Sequence, residues 1–254
     1  MNQPVFRAPD KLPELDEWET RVHLAACYRL IAHFGMDDVV HTHVSARVPG
    51  RHHHFFINPY GLHFSEITAS SLVKIDVEGK VVEPTKYAVN EAGFVIHSAI
   101  HLAREDAACV FHTHTHAGVA VSTLREGLLP LNQVSLEFYN QLAYHDYEGI
   151  ALDLGERERL VADLGAYRAL ILRNHGLLTT GRTIAEAFYL MYYLDQACQL
   201  QLKTMASGGE IVPVTPEIAE HTARQYQRYD RPRGTMEWPA FLRLLDRKDA
   251  SYKN

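Results

Sequence analysis

The stretch Cys109-Val110-Phe111-His112-Thr113-His114 runs from apolar residues into histidines spaced by two. Alternate side chains of a β-strand share a face, so His112 and His114 point to one side while Phe111 and Thr113 point to the other. Two neutral imidazoles over one point make most of a divalent-metal site, which then needs one or two further donors. The same spacing also fits a polar strand end whose histidines are solvated or hydrogen-bonded. A third donor decides between the two readings. Ala169-Leu170-Ile171-Leu172 is apolar and of strand length, and it ends at Arg173-Asn174-His175-Gly176. A histidine just past a buried strand, beside a glycine that lets the backbone approach closely, makes His175 the candidate third ligand. Three histidine ligands leave a coordination position open, as a catalytic ion requires and a structural one does not. Such a set suits zinc first, then manganese or another transition ion.

Two other histidine groups read differently. His52, His53 and His54 are consecutive beside the Pro49-Gly50 turn and cannot all converge on one ion, so they read as a solvated loop. His97 and His101 are four apart on a predicted helix and are therefore neighbours. They lack the intervening glutamate of the zincin pattern and read as a packed, hydrogen-bonded pair.

The elements that must position these residues follow from periodicity. Apolar positions from Leu24 to Phe34 predict an amphipathic helix over 16–34, ended by Gly35. Val44, Ala46 and Val48 alternate as a strand before Pro49-Gly50, and Phe55-Phe56-Ile57 is a short buried strand. Val77-Glu78-Gly79 reads as the turn of a hairpin. Residues 92–104 form a predicted helix with Val95, Ala99 and Leu102 on its apolar stripe, residues 117–124 a short one, and 156–164 another. Thr183-Ile184-Ala185-Glu186 reads as a capping box opening a long helix to Ser207, stopped at Gly208-Gly209. The expected organisation is an extended arm over 1–15, a main domain over 16–210 and a helical extension of that domain over 211–254.

With 254 residues, 46% of them hydrophobic, the chain can bury one large α/β core. A formal charge of −6 gives no field that would gather nucleic acid or an anionic membrane surface. Residues 1–13 contain no apolar signal region, and no run reaches membrane-spanning length, so a soluble cytoplasmic protein acting on a small molecule is expected. Cys27, Cys109 and Cys198 are odd in number and set among apolar neighbours, which reads as buried thiols.

Several separated motifs resemble one family. The segment from Asn90-Glu91-Ala92-Gly93-Phe94 to His101, then His112-Thr113-His114, then Leu172-Arg173-Asn174-His175-Gly176, is similar to the class II aldolase/adducin family. The nearest branch contains the adducin head domains and their bacterial relatives. Gly127-Leu128-Leu129-Pro130 and Ala143 to Gly149 add to the resemblance, which runs from about Arg21 to Gly209. It implies a three-layer α/β/α sandwich around a mixed, mostly antiparallel sheet. It also implies a divalent metal on His112, His114 and His175, and a homotetramer with sites at subunit boundaries, where Tyr147 would act in trans. In sugar-phosphate members a glutamate at the place of Glu91 is the acid/base. A carboxylate favoured by the helix dipole is the structural alternative for Glu91.

The phosphate-binding positions depart from the sugar-phosphate pattern. Thr42-His43 replaces Gly-Asn, Asn58-Pro59-Tyr60-Gly61 replaces Thr-Pro-Ser/Thr-Gly, and Val89-Asn90 replaces Ser-Ser. Each change removes a small residue or hydroxyl that lets backbone wrap a phosphate. The expectation is a metal-dependent lyase that breaks a carbon–carbon bond of a small, unphosphorylated hydroxy- or keto-carbonyl compound through an enediolate. Asn58, Gly61 and Asn90 would line the substrate, Arg47 would hold a carboxylate, and Glu91 or Tyr147 would move the proton. Decarboxylation of a small hydroxy or aromatic acid leaves the same anion and stays open. A non-catalytic, adducin-like interaction domain is the competing reading. Adducins carry long basic-ended tails, whereas this sequence ends at Asn254, which leans toward the enzyme.

Overall fold

The computed structural model describes residues 12–149, 155–227 and 232–254, with residues 91–95 described by their backbone alone. Helix α1 (Glu17–His33) starts at a capping box. Asp16 Oδ1 accepts from the Glu19 amide at 2.8 Å, and Glu19 Oε2 accepts from the Asp16 amide at 2.9 Å. The sequence then makes a hairpin of β1 (His43–Val48) and β2 (Arg51–Ile57), with β3 (Val73–Asp76) alongside. Helix α2 (Glu91–Ala103) leads into β4 (Cys109–Thr113), followed by α3 (His116–Ser122), α4 (Gln133–Leu136) and β5 (Leu142–His145). Helix α5 (Glu156–Leu164) crosses to β6 (Ala169–Leu172), which turns into β7 (Gly176–Gly181). The long α6 (Ile184–Ala206), α7 (Pro216–Gln227) and α8 (Glu237–Lys248) complete the chain.

The strands form one sheet in the order β3-β2-β1-β4-β7-β6-β5. Among the described strands only the β5–β6 pair is parallel, and its connection carries a helix, as a parallel crossover needs. Strand β4 is central, between β1 and β7. Its alternation sends Cys109 and Phe111 into a core with α1, α6 and α8, where Leu24, Tyr28, Phe188 and Trp238 are buried. Val110 goes to the opposite face, with Ile96 and Ile100 of α2 and Leu160 and Leu164 of α5. Helices thus cover both faces, giving the expected α/β/α sandwich with a mixed, mostly antiparallel sheet. Each fully buried large apolar side chain in these layers contributes about 1.5–3 kcal/mol. All three cysteines are free and buried.

Four local expectations change. His52–His54 belong to β2 and not to a loop, because the β1–β2 hairpin extends to Arg51; His52 and His53 remain exposed. Leu102 of α2 is exposed, and the buried face carries Ile96, His97, Ala99, Ile100 and His101. The polar partners that await His97 and His101 on β1 outweigh the apolar count. Thr183 caps α6 by accepting from the Glu186 amide at 3.0 Å, but Glu186 Oε2 reaches the Arg182 amide at 2.7 Å, one residue before the capping-box position. The Gly79 turn has a positive φ of 84°, yet its second arm is a single bridge from Ile75 to Val81.

Candidate metal centre

His112 lies near the end of the central strand, 2% exposed, with Leu178 of β7 and His43 of β1 as its register partners. Its Nδ1–H donates to Leu177 O at 2.9 Å, which leaves Nε2 as the lone-pair nitrogen. His114 follows the strand, and its Nδ1 lies 2.9 Å from Asp38 Oδ2. The two Nε2 atoms come within 3.0 Å of each other. His175 sits in the β6–β7 turn, where Asn174 takes the left-handed conformation at φ 56°. Its ring centroid is 4.7 Å from that of His112 and 4.9 Å from that of His114. Gly176 makes this approach possible, since a Cβ there would collide with the backbone oxygen of Thr113.

One donor nitrogen from each of His112, His114 and His175 falls within 4.8 Å of the others. Burial, followed by the neighbouring His175 and His114, holds His112 well below the ordinary imidazole value. Burial and then His114 bring His175 down to about 4. Both imidazoles are therefore neutral at physiological pH. A carboxylate on His114 and a carbonyl on His112 are the kind of partners that fix the orientation of metal-binding imidazoles. Donor type, number and orientation all fit a divalent ion.

The three histidines open into a cavity of about 410 Å³ that is also lined by Thr42, His43, Tyr60, Asn90 and Tyr147. Tyr147 is half exposed, its ring centroid 6.4 Å from that of His175 in the same chain, so it reaches the cavity in cis and not in trans as expected. Glu91 is the first residue of α2, next to Asn90, and its side chain lies outside the described residues. Asn58, expected to line the substrate, is not among the residues lining this cavity; it is buried and accepts a hydrogen bond from Tyr28 Oη at 2.9 Å. Gly61, at φ 97°, shapes the turn that presents Tyr60. Arg47 is not brought to the histidines. Its Nη2 donates to His101 O at 2.7 Å and to Arg104 O at 3.3 Å, and the residue lines a separate, mainly apolar cavity near Leu12–Leu15. Arg47 stands four residues along β1 from His43, toward the opposite end of the strand.

Asp38 was not among the site residues read from the sequence, and Thr42 and His43 entered there only as departures from the phosphate-binding pattern; register and loop path bring all three to the histidines. The segment between α1 and β1 that carries Asp38 and Thr42 is strained. Val39 and Thr42 both have positive φ, 53° and 68°, which β-branched residues seldom adopt. His63 Nε2 holds the neighbouring Asp37 carboxylate at 3.0 Å, fixing the loop from the far side.

Comparison with known proteins agrees with this geometry. The family profile described as Class II Aldolase and Adducin N-terminal domain matches residues 22–202. A Caulobacter vibrioides protein named only for the class 2 aldolases is 54% identical over 250 residues, covering 98% of this chain and 97% of that one. Rat alpha-adducin is 46% identical over 192 residues, 74% of this chain but 26% of the adducin. The solved L-fuculose 1-phosphate aldolase of Glaciozyma antarctica superposes with a TM-score of 0.85 at 31% identity, covering 96% of this chain and 98% of that one. Sheet order, histidine cluster and sequence thus converge, and the chain belongs to the class II aldolase and adducin family.

Proposed function

We propose that the protein is a metal-dependent lyase that breaks a carbon–carbon bond of a small, unphosphorylated hydroxy- or keto-carbonyl compound, as an aldolase does. The observation that carries this reading is the convergence of His112, His114 and His175, two of them oriented through Nδ1, on an open cavity. Zinc is the first choice of ion for such donors, and manganese the next. When bound, the ion supplies Lewis acidity toward the electron pair left by the broken bond.

The chain's own residues hold the substrate and move the proton. Tyr147 stands at the cavity mouth near His175 and serves as the proton donor or acceptor, with Glu91 as the alternative at the start of α2. Asn90 offers an amide to the substrate oxygens, while Tyr60 walls the cavity against water. Thr42, His43 and Tyr60 line it where the sugar-phosphate pattern has smaller residues, which supports an unphosphorylated substrate. Loss of a carboxylate as CO₂ leaves the same electron pair, so decarboxylation is the variant of this chemistry to test beside retro-aldol cleavage. A homotetramer whose subunits meet at the site is part of the proposal. A cytoplasmic setting is part of the proposal, and no helix among the described residues is long and apolar enough to cross a membrane.

The likeness to alpha-adducin supports a second reading, an interaction domain without turnover. The deciding experiment is elemental analysis of the purified protein followed by a screen of the metal-loaded form against hydroxy acids, keto acids and phosphosugars, with aldehyde and CO₂ both monitored. Cleavage of a free acid or sugar supports the lyase, and preference for phosphosugars rejects the unphosphorylated substrate. Silence across the panel from fully metallated protein favours the interaction domain.

A further inference from the structure

The register that sets His43 opposite His112 also puts it at the head of a buried hydrogen-bond chain. His43 Nδ1 lies 2.8 Å from His97 Nε2, and His97 Nδ1 lies 2.6 Å from Ser45 Oγ. Ser45 Oγ is in turn 2.8 Å from His101 Nε2, and His101 Nδ1 is 2.9 Å from Ala107 O. His97 and Ser45 are fully buried, and His101 and His43 are 3% and 4% exposed. Burial holds His101 down to about 3 and His97 well below the ordinary value, so both imidazoles are neutral.

Each neutral imidazole has one N–H and one lone pair, and a carbonyl oxygen can only accept. The chain therefore has a single consistent polarity, assigned from its partners. His101 Nδ1–H donates to Ala107 O, so His101 Nε2 accepts from the Ser45 hydroxyl. Ser45 Oγ then accepts from His97 Nδ1–H, and His97 Nε2 accepts from His43 Nδ1–H. What remains on His43 is a lone pair at Nε2, on a residue that lines the cavity of the histidine cluster. Beside it, Thr42 lines the same cavity, and its Oγ1 is buried without a hydrogen-bond partner. A fixed acceptor next to an unpaired hydroxyl is what a substrate hydroxyl needs to donate to one group and accept from the other.

We propose that Thr42 and His43 form a specificity subsite for a substrate hydroxyl, with Ser45, His97 and His101 as positioning residues that keep the His43 Nε2 lone pair turned toward it. The subsite deepens the lyase reading and rests on it for the presence of a metal-chelating substrate. Its members would make the protein discriminate hydroxylated chelators from their deoxy counterparts, because a lone pair left unmatched in a closed site costs affinity.

The test has two parts, neither of which needs turnover. Long-range ¹H–¹⁵N NMR of the metal-free protein reports histidine tautomers directly. The expected result is His43 as the Nδ1–H form in the wild type, a mixture of tautomers in Ser45→Ala, and the wild-type pattern restored in Ser45→Thr. The Nε2–H form in the wild type would overturn the proposal without recourse to any variant. Calorimetry of the zinc-loaded protein then compares glycolohydroxamate with acetohydroxamate, which share a chelating group and differ by one hydroxyl. One well-placed hydrogen bond corresponds to about tenfold tighter binding of the hydroxylated probe. That ratio should shrink in Ser45→Ala and return in Ser45→Thr. Equal affinity of the wild type for the two probes rejects the subsite, even if the protein proves to be a lyase. A tenfold preference in a protein that turns nothing over retains the subsite and retires the lyase.

Discussion

Asp38 Oδ2 stands 2.9 Å from His114 Nδ1, so the carboxylate fixes which imidazole nitrogen faces His112 and His175. Removing it frees the ring to rotate. Asp38→Ala should weaken binding of a divalent ion about 10–100-fold while leaving the fold intact, as loss of such a partner does elsewhere. Competition against a coloured chelator measures this, and an unchanged affinity would show that Asp38 only decorates the loop.

Gly176 answers for the contact between β4 and the β6–β7 turn. A methyl group there has nowhere to go except against Thr113 O and the His114 ring. Gly176→Ala should cost about 1–3 kcal/mol of stability through this overpacking. It should also displace His175 enough to impair metal binding. Denaturant unfolding and metal titration of one sample test both parts.

The buried pair His97 and His101 gives stability a pH dependence with a definite sign. In the folded chain burial keeps both neutral, His97 well below the ordinary value and His101 down to about 3. In the unfolded chain each binds a proton near pH 6.5, at about the ordinary imidazole value. Below that pH the unfolded state takes up protons that the folded state refuses, so stability is full above it and declines as the pH falls toward the folded values. The slope is at most about 1.4 kcal/mol per pH unit for each histidine. Unfolding midpoints of the metal-free protein at about pH 7.5, 6.5 and 5.5 should fall progressively below the middle value. A flat series would mean that the cluster admits protons without opening.

Tyr147→Phe removes one hydroxyl from the cavity mouth and nothing from the histidine set. If Tyr147 moves the proton, turnover of whichever substrate the screen identifies should drop about 10²–10⁴-fold with metal content unchanged. A drop of less than about threefold would transfer that role to Glu91.

Local pattern and resemblance carried the reading in different measure. The His112-Thr113-His114 spacing and the His175-Gly176 pair were legible because both rest on local rules, strand alternation and close backbone approach. The 156–164 helix and the 169–172 strand appear with the bounds their periodicity implies. The layers and the mixed, mostly antiparallel sheet came from the resemblance, and the strand order came only with the structure, since no local rule sets β4 between β1 and β7. Arg47 was misplaced for the same reason. Spacing along β1 cannot say which end of the strand meets the histidines, whereas the pairing of His43 with His112 settles it. Asp38 left no local signal, because its role depends on a loop folded back across β4. The α2 face was misread because counting apolar residues ignores the polar partner that Ser45 supplies to His97 and His101.

Thr42 combines a left-handed backbone with a buried, unpaired hydroxyl. Such a conformation costs a β-branched residue about 1–3 kcal/mol, while glycine adopts it freely and gives back about 0.5–1 kcal/mol through its looser unfolded chain. The balance favours glycine at this position. Thr42→Gly should therefore yield a sturdier protein that is less choosy about what it binds. Robustness and selectivity pull in opposite directions at this one residue, and the sequence settles for the less stable alternative.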